Sequence, residues 1–453
     1  MTTTTKPIAT NEQLAAYAEF AARITGTGFI NDPWLDDEPR FGMVPVGLRR
    51  RERDELIEAG EQLAAVIDEA VKLLLDDDVQ RAQFLPLLPT AAALLTASNG
   101  LWHGIARADV FVTKDGLQVT ELNSDTPTGE PEAIVLGVLA REDAEASGLV
   151  VADDFDTCAS MPARLAQLWR AMHDAIVNDD IRREHDDGGA RVAAIVYPTE
   201  FTEDLSLVRL YRQILEESGW RVVLGSPFNL DVDDDQRLVL FGERPTLVLR
   251  HYKTDWWTER QSVWLDDTVA DAEPLQGPLA AVLAAQAAGT CVVVNPFGAV
   301  ASQNKRLLAF CWERIHRFST AAQQSIQRLI PYTARLESVH EAQLRADKAS
   351  WVIKSDYGAE GDEVIIGKLV DDATWDATLR LARPGRFIAQ RFFEAVPDEA
   401  GFIRNHGVFV VGGVGCGIYT RLDRGFTDPA SLSVATVVVT DEAEDSDDDD
   451  SDD

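Results

Sequence analysis

The 453-residue sequence contains few cysteines and no long apolar run. Its four cysteines, at positions 158, 291, 311 and 416, are widely separated and form no C-x-x-C pair, which argues against a disulfide framework and a zinc site. No stretch of about 18 consecutive apolar residues occurs, so a membrane-spanning helix is not expected. The first ten residues are polar and lack the apolar core of a secretion signal, so we expect a cytoplasmic protein.

Positive charge is also scarce. The sequence has 42 lysine and arginine residues against 76 aspartate and glutamate residues, giving a formal net charge of −34, and only eight of the 42 are lysines. Such acidity disfavours binding to nucleic acid or to an anionic membrane. Residues 441–453 include ten acids and predict a disordered, solvated tail. The oligomeric state is left open.

Hydrophobic patterning predicts a mixed α/β chain. A length of 453 residues with 45% apolar composition allows two to three domains or one elaborate domain. Residues 53–75 carry apolar side chains at helical spacing, and residues 107–123 alternate as strands do. Short apolar runs at 192–197, 220–224, 247–252 and 291–295, with a helical segment at 204–218, predict a Rossmann-like unit, although the G-x-G-x-x-G fingerprint is absent.

Residues 107–123 predict a β-hairpin with acidic side chains on one face. A three-residue loop, Lys-Asp-Gly at 114–116, is a favoured hairpin connection. This loop pairs Asp109 with Glu121 and Arg107 with Asn123 on one face, whereas a two-residue loop would reverse the arrangement. Because magnesium prefers carboxylate and amide oxygens, the face is a candidate magnesium–nucleotide site. The alternative is a solvated face with an Arg–Asp pair.

Two lysines stand at positions suited to phosphate binding. Lys305 follows Ser-Gln-Asn at 302–304 and comes at the start of a helical pattern. Lys354 ends a strand-like run and leads into a glycine-containing loop that reaches residue 361. A lysine beside a flexible glycine loop can neutralise phosphate while backbone N–H groups approach it, and the alternative is an ordinary hairpin turn with a surface lysine. The loop is not a Walker A sequence, so a P-loop NTPase is not supported.

Two later strand-like runs add candidate contacts to a nucleotide. Residues 387–393 contain Gln390, and their backbone can hydrogen-bond an adenine edge while apolar neighbours enclose the ring. Arg421 ends the run at 417–421 and can face phosphate charge. The alternatives are a core strand for the first run and a surface arginine for the second.

Taken in order, these segments resemble the synthetase domain of the glutathionylspermidine synthase family, a circularly permuted ATP-grasp ligase. The resemblance covers about residues 100–440 and consists of these matching segments: 107–109, 120–129, 302–308, 351–361, 388–393 and 417–421. It implies an α/β (α+β) fold class, namely an ATP-grasp fold with an associated Rossmann-like pre-ATP-grasp domain. The permuted order explains why the acids precede the lysines along the chain.

The resemblance also implies metal and nucleotide contacts. Two magnesium ions would be bound by the hairpin residues Asp109, Glu121 and Asn123. The phosphates of ATP would be contacted by two lysines and a closing loop, namely Lys305, Lys354, Gly358 and Gly361. Gln390 and its neighbours would border the adenine.

Residues near the reacting groups are implied as well. Arg107 and Arg421 would stabilise charge on the transferring phosphoryl group. The acceptor would lie near three hydroxyl side chains, Ser124, Thr126 and Thr128.

The resemblance implies an ATP-dependent carboxylate–amine ligase that forms an amide bond through an acyl phosphate. Its substrates would be a small-molecule or peptide carboxylate and an amine, whose identities the sequence does not specify. One alternative is a phosphotransferase with the same fold, and another is a non-catalytic nucleotide-binding protein. Phosphate release that needs both an acid and an amine distinguishes the ligase from the phosphotransferase, and ATP binding without turnover favours the third hypothesis.

The expected domain organisation follows from the same segments. Residues 1–187 would form a helical segment together with the metal-binding hairpin. Residues 188–300 would form the pre-ATP-grasp α/β domain, and residues 301–440 the nucleotide-binding region. The acidic tail would follow at 441–453.

Overall fold

The computed structural model describes residues 11–98, 101, 104–186, 189–269, 273–358, 363–425 and 430–439. Its α-helices are α1 Asn11–Gly26, α2 Arg50–Leu75, α3 Asp78–Phe84, α4 Pro89–Ala97, α5 Glu130–Ala146, α6 Met161–Ile176, α7 Asp179–Asp186, α8 Leu205–Glu217, α9 Thr254–Trp257, α10 Gln276–Ala287, α11 Ala299–Ser302, α12 Arg306–Glu313, α13 Thr320–Leu329, α14 Glu341–Ala346 and α15 Asp372–Leu381. Its strands are β1 Trp34–Leu35, β2 Glu38–Pro39, β3 Val46–Arg49, β4 Ile105–Thr113, β5 Gly116–Asn123, β6 Val192–Val196, β7 Arg221–Gly225, β8 Leu230–Val232, β9 Leu238–Leu240, β10 Leu247–Arg250, β11 Val292–Val294, β12 Thr333–Arg335, β13 Trp351–Ser355, β14 Val364–Ile366, β15 Phe387–Arg391, β16 Ile403–Val411, β17 Val414–Asp423, β18 Leu432–Val434 and β19 Thr436–Val439.

The largest sheet joins distant parts of the chain. Its five antiparallel strands lie in the order β18-β17-β16-β4-β5, and we call it the site sheet. Strands β4 and β5 come from the first third of the sequence, whereas β16, β17 and β18 come from its end. Strand β19 pairs in parallel with β3. The beginning and the end of the described chain therefore fold together, and the site sheet depends on both.

Helix α2 covers one face of the site sheet. The helix predicted at 53–75 is confirmed, and its buried side chains recur at helical spacing, as Leu63, Ile67 and Val71 illustrate. Each fully buried side chain of this kind contributes about 1.5–3 kcal/mol. At Gly60 a Cβ would lie 2.7 Å from Val408 Cγ1, so glycine allows the helix to approach β16 closely.

A parallel sheet forms the second layer, with strand order β11-β10-β6-β7. Helices α6 and α8 pack on one face and α10 on the other, so the Rossmann-like unit predicted from the short apolar runs is confirmed. Asn295, just after β11, donates from Nδ2 to the carbonyls of Ile105 at 2.8 Å and Ser124 at 3.0 Å. Arg250, at the end of β10, donates to Asp125 at 2.6 Å. The carboxyl edge of this sheet thus fixes the base of the β4–β5 hairpin.

The third sheet is antiparallel, with strand order β12-β15-β13-β14. The core beside this sheet includes Trp351, Trp375 and Phe387. We call the sheet the lysine sheet because its strand β13 carries Lys354.

Arg306 connects the lysine sheet to the rest of the molecule. Its side chain is fully buried. Nε donates to the Phe84 carbonyl at 2.8 Å, and Nη1 donates to the Phe387 carbonyl at 3.1 Å. Nη2 forms an ion pair with Glu337 at 2.7 Å. One guanidinium therefore joins the end of α3, the start of α12 and β15.

The four cysteines are buried and free. Among the described residues, no helix combines the length and the apolarity that crossing a membrane requires.

Candidate active site

The β4–β5 hairpin brings the predicted acids together, but by a different route from the one expected. The predicted three-residue loop is wrong, because Thr113 pairs with Gly116 and the turn contains only two residues. A register shift then occurs beyond Val110, where Thr120 is the extra residue on β5. This bulge restores the predicted opposition of Asp109 to Glu121 and of Arg107 to Asn123.

Asp109 is buried and held by two arginines. Arg107 Nε donates to its Oδ1 at 2.9 Å, and Arg421 Nη2 donates to its Oδ2 at 2.8 Å. Although burial alone would raise the pKa of this carboxyl, the two guanidinium groups lower it below its usual value. Gly407 lies opposite Asp109 on β16, and a Cβ there would lie 2.7 Å from Arg107 Cδ. Glycine at 407 therefore gives the Arg107 side chain room to lie across β16.

Glu121 and Lys305 connect the hairpin to the start of α12. Lys305 Nζ lies 3.0 Å from Glu121 Oε2 and also donates to the Gly358 carbonyl. Burial and the charge of Asp109 oppose ionisation of Glu121, but the charges of Lys305 and Lys354, together with the hydrogen bond from Lys305, lower the pKa of the carboxyl. The backbone N–H of Lys305 donates to the Asp356 carbonyl at 2.9 Å. The segment that follows β13 is therefore held to the start of α12 by both the side chain and the backbone of Lys305.

Lys354 lies on β13 and is 7% exposed. Burial lowers its pKa to about 8, and the charge of Lys305 adds to this effect while Glu121 and Asp109 oppose it. The structure therefore brings Lys354 within electrostatic range of the two hairpin acids and the other lysine.

Three predicted acceptor residues follow β5, and only one is deeply buried. Ser124 Oγ lies 2.6 Å from Ser302 Oγ, and the backbone N–H of Ser124 donates to Gln303 at 2.8 Å. Thr126 is half-buried and Thr128 is exposed. The carbonyl of Thr128 accepts a hydrogen bond from Arg107 Nη1. The segment therefore borders the same arginine that holds Asp109.

The structure places two of the three remaining residues that were predicted to contact the nucleotide. Gln390 is buried, and its Nε2 donates to Thr333 Oγ1 at 3.0 Å. Because β15 lies between β12 and β13, the backbone of Gln390 faces neighbouring strands, and its side chain lies on the same face of the sheet as that of Lys354. Gly358 contacts Lys305, whereas Gly361 lies outside the described residues.

The charges of the site are unbalanced. The following side chains form what we call the charged cluster: Arg107, Asp109, Glu121, Lys305, Lys354 and Arg421. Four cations against two carboxylates leave two positive charges in a protein of net charge −34. Two buried polar atoms beside the cluster, Asn123 Nδ2 and Arg421 Nε, have no hydrogen-bond partner. Buried polar groups are usually paired, so both features favour an anionic, polar ligand.

Several residues around the charged cluster escaped prediction from sequence. Gly407 and Asn405 on β16 face Asp109, and Asp125 and Asn295 fix the hairpin base. Asp356, before the loop, forms an ion pair with Arg386 at 2.6 Å. Most of them carry no local signal, because each contact joins segments that are distant in sequence. The exception is Asn295, since the Asn-Pro-Phe-Gly run at 295–298 follows a strand of the Rossmann-like unit.

Solved structures that are similar to this chain include synthetase-like proteins. The fold is similar to that of a glutathione synthetase-like effector, GSS30, from Globodera pallida in its apo form, with a TM-score of 0.59 and 11% identity over 95% of this chain and 99% of that one. A putative gamma-glutamylcysteine synthetase from Methylobacillus flagellatus KT has a TM-score of 0.45 and 12% identity over 86% of this chain and 90% of that one. A search of curated proteins finds no match.

The fold and the charged cluster define a mixed α/β protein of the ATP-grasp type. The chain belongs to the glutathionylspermidine synthase pre-ATP-grasp family, whose model matches residues 42–438. This membership indicates a ligase-type enzyme that uses ATP on small-molecule substrates.

Proposed function

We propose that this protein is an ATP-dependent carboxylate–amine ligase that forms an amide through an acyl phosphate. The observation that carries the proposal is the charged cluster, in which the site sheet contributes Asp109 and Glu121 and the lysine sheet contributes Lys354. A surplus of buried positive charge is suited to a triphosphate and to the charge that develops while its γ-phosphoryl group moves.

The reaction has two steps. A carboxylate oxygen of the acid substrate attacks the γ-phosphorus of ATP, and the bond to ADP breaks. The amine nitrogen then attacks the acyl carbon and loses a proton, and phosphate leaves with that oxygen. In the first step Arg107 and Arg421 would neutralise the transferring group, while Lys305 and Lys354 would bind the phosphates of ATP. The segment 124–128, in which Thr126 is half-buried and Thr128 is exposed, would border the acid substrate.

The hairpin residues fit a magnesium site. The pKa values of Asp109 and Glu121 are lowered, which favours their ionised form, and the amide oxygen of Asn123 is a third hard ligand on the same face. The unpaired Nδ2 of Asn123 is a hydrogen-bond donor and suits a phosphate oxygen. No group of three or more His, Cys, Asp or Glu side chains suited to a metal occurs in the described residues, so the amide is needed as the third donor. When bound, magnesium would neutralise phosphate charge. The chain's own residues would orient the ligands, since both carboxylates are fixed by cationic side chains.

The function can be tested by a substrate screen. Pools of carboxylic acids and amines are added to the purified chain with ATP and magnesium, and ADP release is measured, followed by mass spectrometry of the product. We expect ADP release to require both an acid and an amine and to yield an amide. ADP release that needs only one of the two would contradict the ligase and favour a phosphotransferase. ATP binding without turnover in every pool would contradict catalysis.

Replacing Glu121 by glutamine should raise the magnesium requirement. Glutamine keeps the shape but removes a charged oxygen ligand and the ion pair with Lys305. We expect the magnesium concentration that gives half-maximal ATP turnover to rise about 10-fold or more. Asp115→Asn, which changes an exposed acid at the tip of the same hairpin, is the matched control and should behave as wild type. An unchanged magnesium requirement in Glu121→Gln would remove Glu121 from the site.

The lowered pKa of Lys354, about 8, predicts a pH dependence of ATP binding. The ammonium group is charged below this pKa and neutral above it, so its attraction for phosphate is present at pH 7 and is lost as the pH rises through 8. We expect the Kd for ATP to increase about 10-fold between pH 7 and pH 9. Lys354→Arg stays charged over this range and should bind ATP with a nearly constant Kd. Parallel pH profiles for the two proteins would reject the assignment.

A further inference from the structure

Asn405 lies in the middle of the site sheet beside the Asp109 carboxylate. On β16 it pairs with Arg421 of β17 on one side and with Phe111 of β4 on the other. Asn405 is 3% exposed, and the register of β16 with β4 places its side chain on the same face as Asp109, two residues along the ladder. From there its amide N–H donates to the Asp109 carboxylate and helps to lower the pKa of that group. Asn405 is therefore a third donor side chain for this carboxylate, after Arg107 and Arg421.

The other polar atom of this side chain is unpaired. Asn405 Oδ1 is buried and has no hydrogen-bond partner. A buried acceptor without a donor costs stability, and proteins retain few of them. Arg421 Nε, on the residue directly opposite, is unpaired as well. These open positions beside one ionised carboxylate indicate that a polar ligand completes the cluster.

The available atoms specify the chemistry of that ligand. A carboxylate that receives hydrogen bonds from Arg107, Arg421 and Asn405 is held in one orientation. The free Oδ1 of Asn405 can accept a hydrogen bond but cannot donate one. Water molecules bound to a divalent cation are hydrogen-bond donors, and magnesium characteristically keeps several of them. A hydrated magnesium ion matches both the fixed carboxylate and the unpaired acceptor.

We propose that Asn405 is a positioning residue for magnesium, which fixes Asp109 by its N–H group and offers its Oδ1 to a metal-bound water. This inference rests on the proposed function, because it requires Asp109 to be a magnesium ligand. Loss of a side chain that hydrogen-bonds to a metal ligand weakens metal affinity about 10- to 100-fold. Substitution of Asn405 should therefore raise the magnesium concentration that nucleotide binding requires, with little effect on nucleotide affinity in the absence of magnesium.

Two substitutions of opposite volume test this role. Asn405→Leu keeps the branched shape with a larger volume, whereas Asn405→Ala leaves space, and both remove the amide. ATP is titrated calorimetrically into the full-length chain over a series of MgCl2 concentrations, with circular dichroism as the check of folding. We expect the MgCl2 concentration at half-maximal ATP binding to rise about 10-fold in both variants. ATP affinity without magnesium should stay within about twofold of wild type.

His406 provides the matched control. Side chains alternate along a strand, so His406 points to the opposite face of β16, where its Nδ1 lies 2.9 Å from Thr420 Oγ1. His406→Gln should leave the magnesium dependence unchanged. An unchanged MgCl2 dependence in both Asn405 variants would overturn the inference. A rise in the half-maximal MgCl2 concentration in Asn405→Ala alone would indicate a packing effect and would also overturn it. An equal rise in His406→Gln would do the same. If ATP binding by the wild-type chain does not depend on magnesium, the magnesium site itself is contradicted, together with this inference.

Discussion

Replacing Lys354 by methionine should lower the rate of substrate-dependent ADP release about 100- to 1,000-fold, a loss typical of removing one group that stabilises developing charge. Methionine retains an unbranched apolar side chain of similar length and removes the ammonium group. Lys354 is buried beside Glu121 and Lys305, where a cation interacts with a ligand more strongly than it would in water. The measurement is the steady-state rate of ADP release with the acid and amine identified by the screen.

Lys368 is the matched control for this substitution. It follows β14 of the same sheet, is half exposed and forms a surface ion pair with Glu394. Lys368→Met should retain wild-type activity, because an exposed pair contributes little. Normal turnover in Lys354→Met, with the same apparent affinity for ATP, would exclude Lys354 from phosphate binding.

Arg306→Met should lower the free energy of unfolding by about 3–5 kcal/mol, because each buried acceptor left without its donor costs about 1–3 kcal/mol. The substitution leaves the carbonyls of Phe84 and Phe387 without their donor and Glu337 without its cation. Because these groups belong to separate elements, their connection to α12 would be weakened together. Urea denaturation followed by tryptophan fluorescence measures the effect.

An exposed arginine on α14 tests whether burial causes this loss. Arg345 forms ion pairs with Glu341 and Asp376, and about half of its side chain is exposed. Arg345→Met should leave the urea midpoint close to that of wild type, because exposed ion pairs contribute little. Equal stability of Arg306→Met and the wild-type chain would mean that water replaces the lost guanidinium without cost, contrary to its complete burial.

Local patterns in the sequence predicted a large part of the fold. The apolar spacing of α2 and the short apolar runs of β6, β10 and β11 depend on neighbouring residues, so they can be seen in a single sequence. The opposition of Asp109 to Glu121 was also predicted correctly. The reason given for it was wrong, because alternation specifies faces but does not reveal where an extra residue lies in a strand.

Contacts between residues that are distant in sequence could not be predicted. The ion pair of Asp109 with Arg421 joins residues 312 positions apart, and the pair of Asp125 with Arg250 joins residues 125 positions apart. Asn405 has no neighbouring motif, and only the pairing of β16 with β4 places it near the acids. A single sequence carries no record of which strands pair, so these residues become visible only once the site sheet is formed.

The short turn and the additional residue at Thr120 have a consequence for how this family can tolerate insertions and deletions. An insertion at the tip would only lengthen the loop, and loss of Thr120 would only make the strand regular, so either change would keep Glu121 opposite Asp109. A residue inserted between Glu121 and Asn123, in contrast, would move one of the two side chains to the reverse side of the ribbon. Relatives that keep these acids can therefore differ in length at the tip and at Thr120, but not between residues 121 and 123.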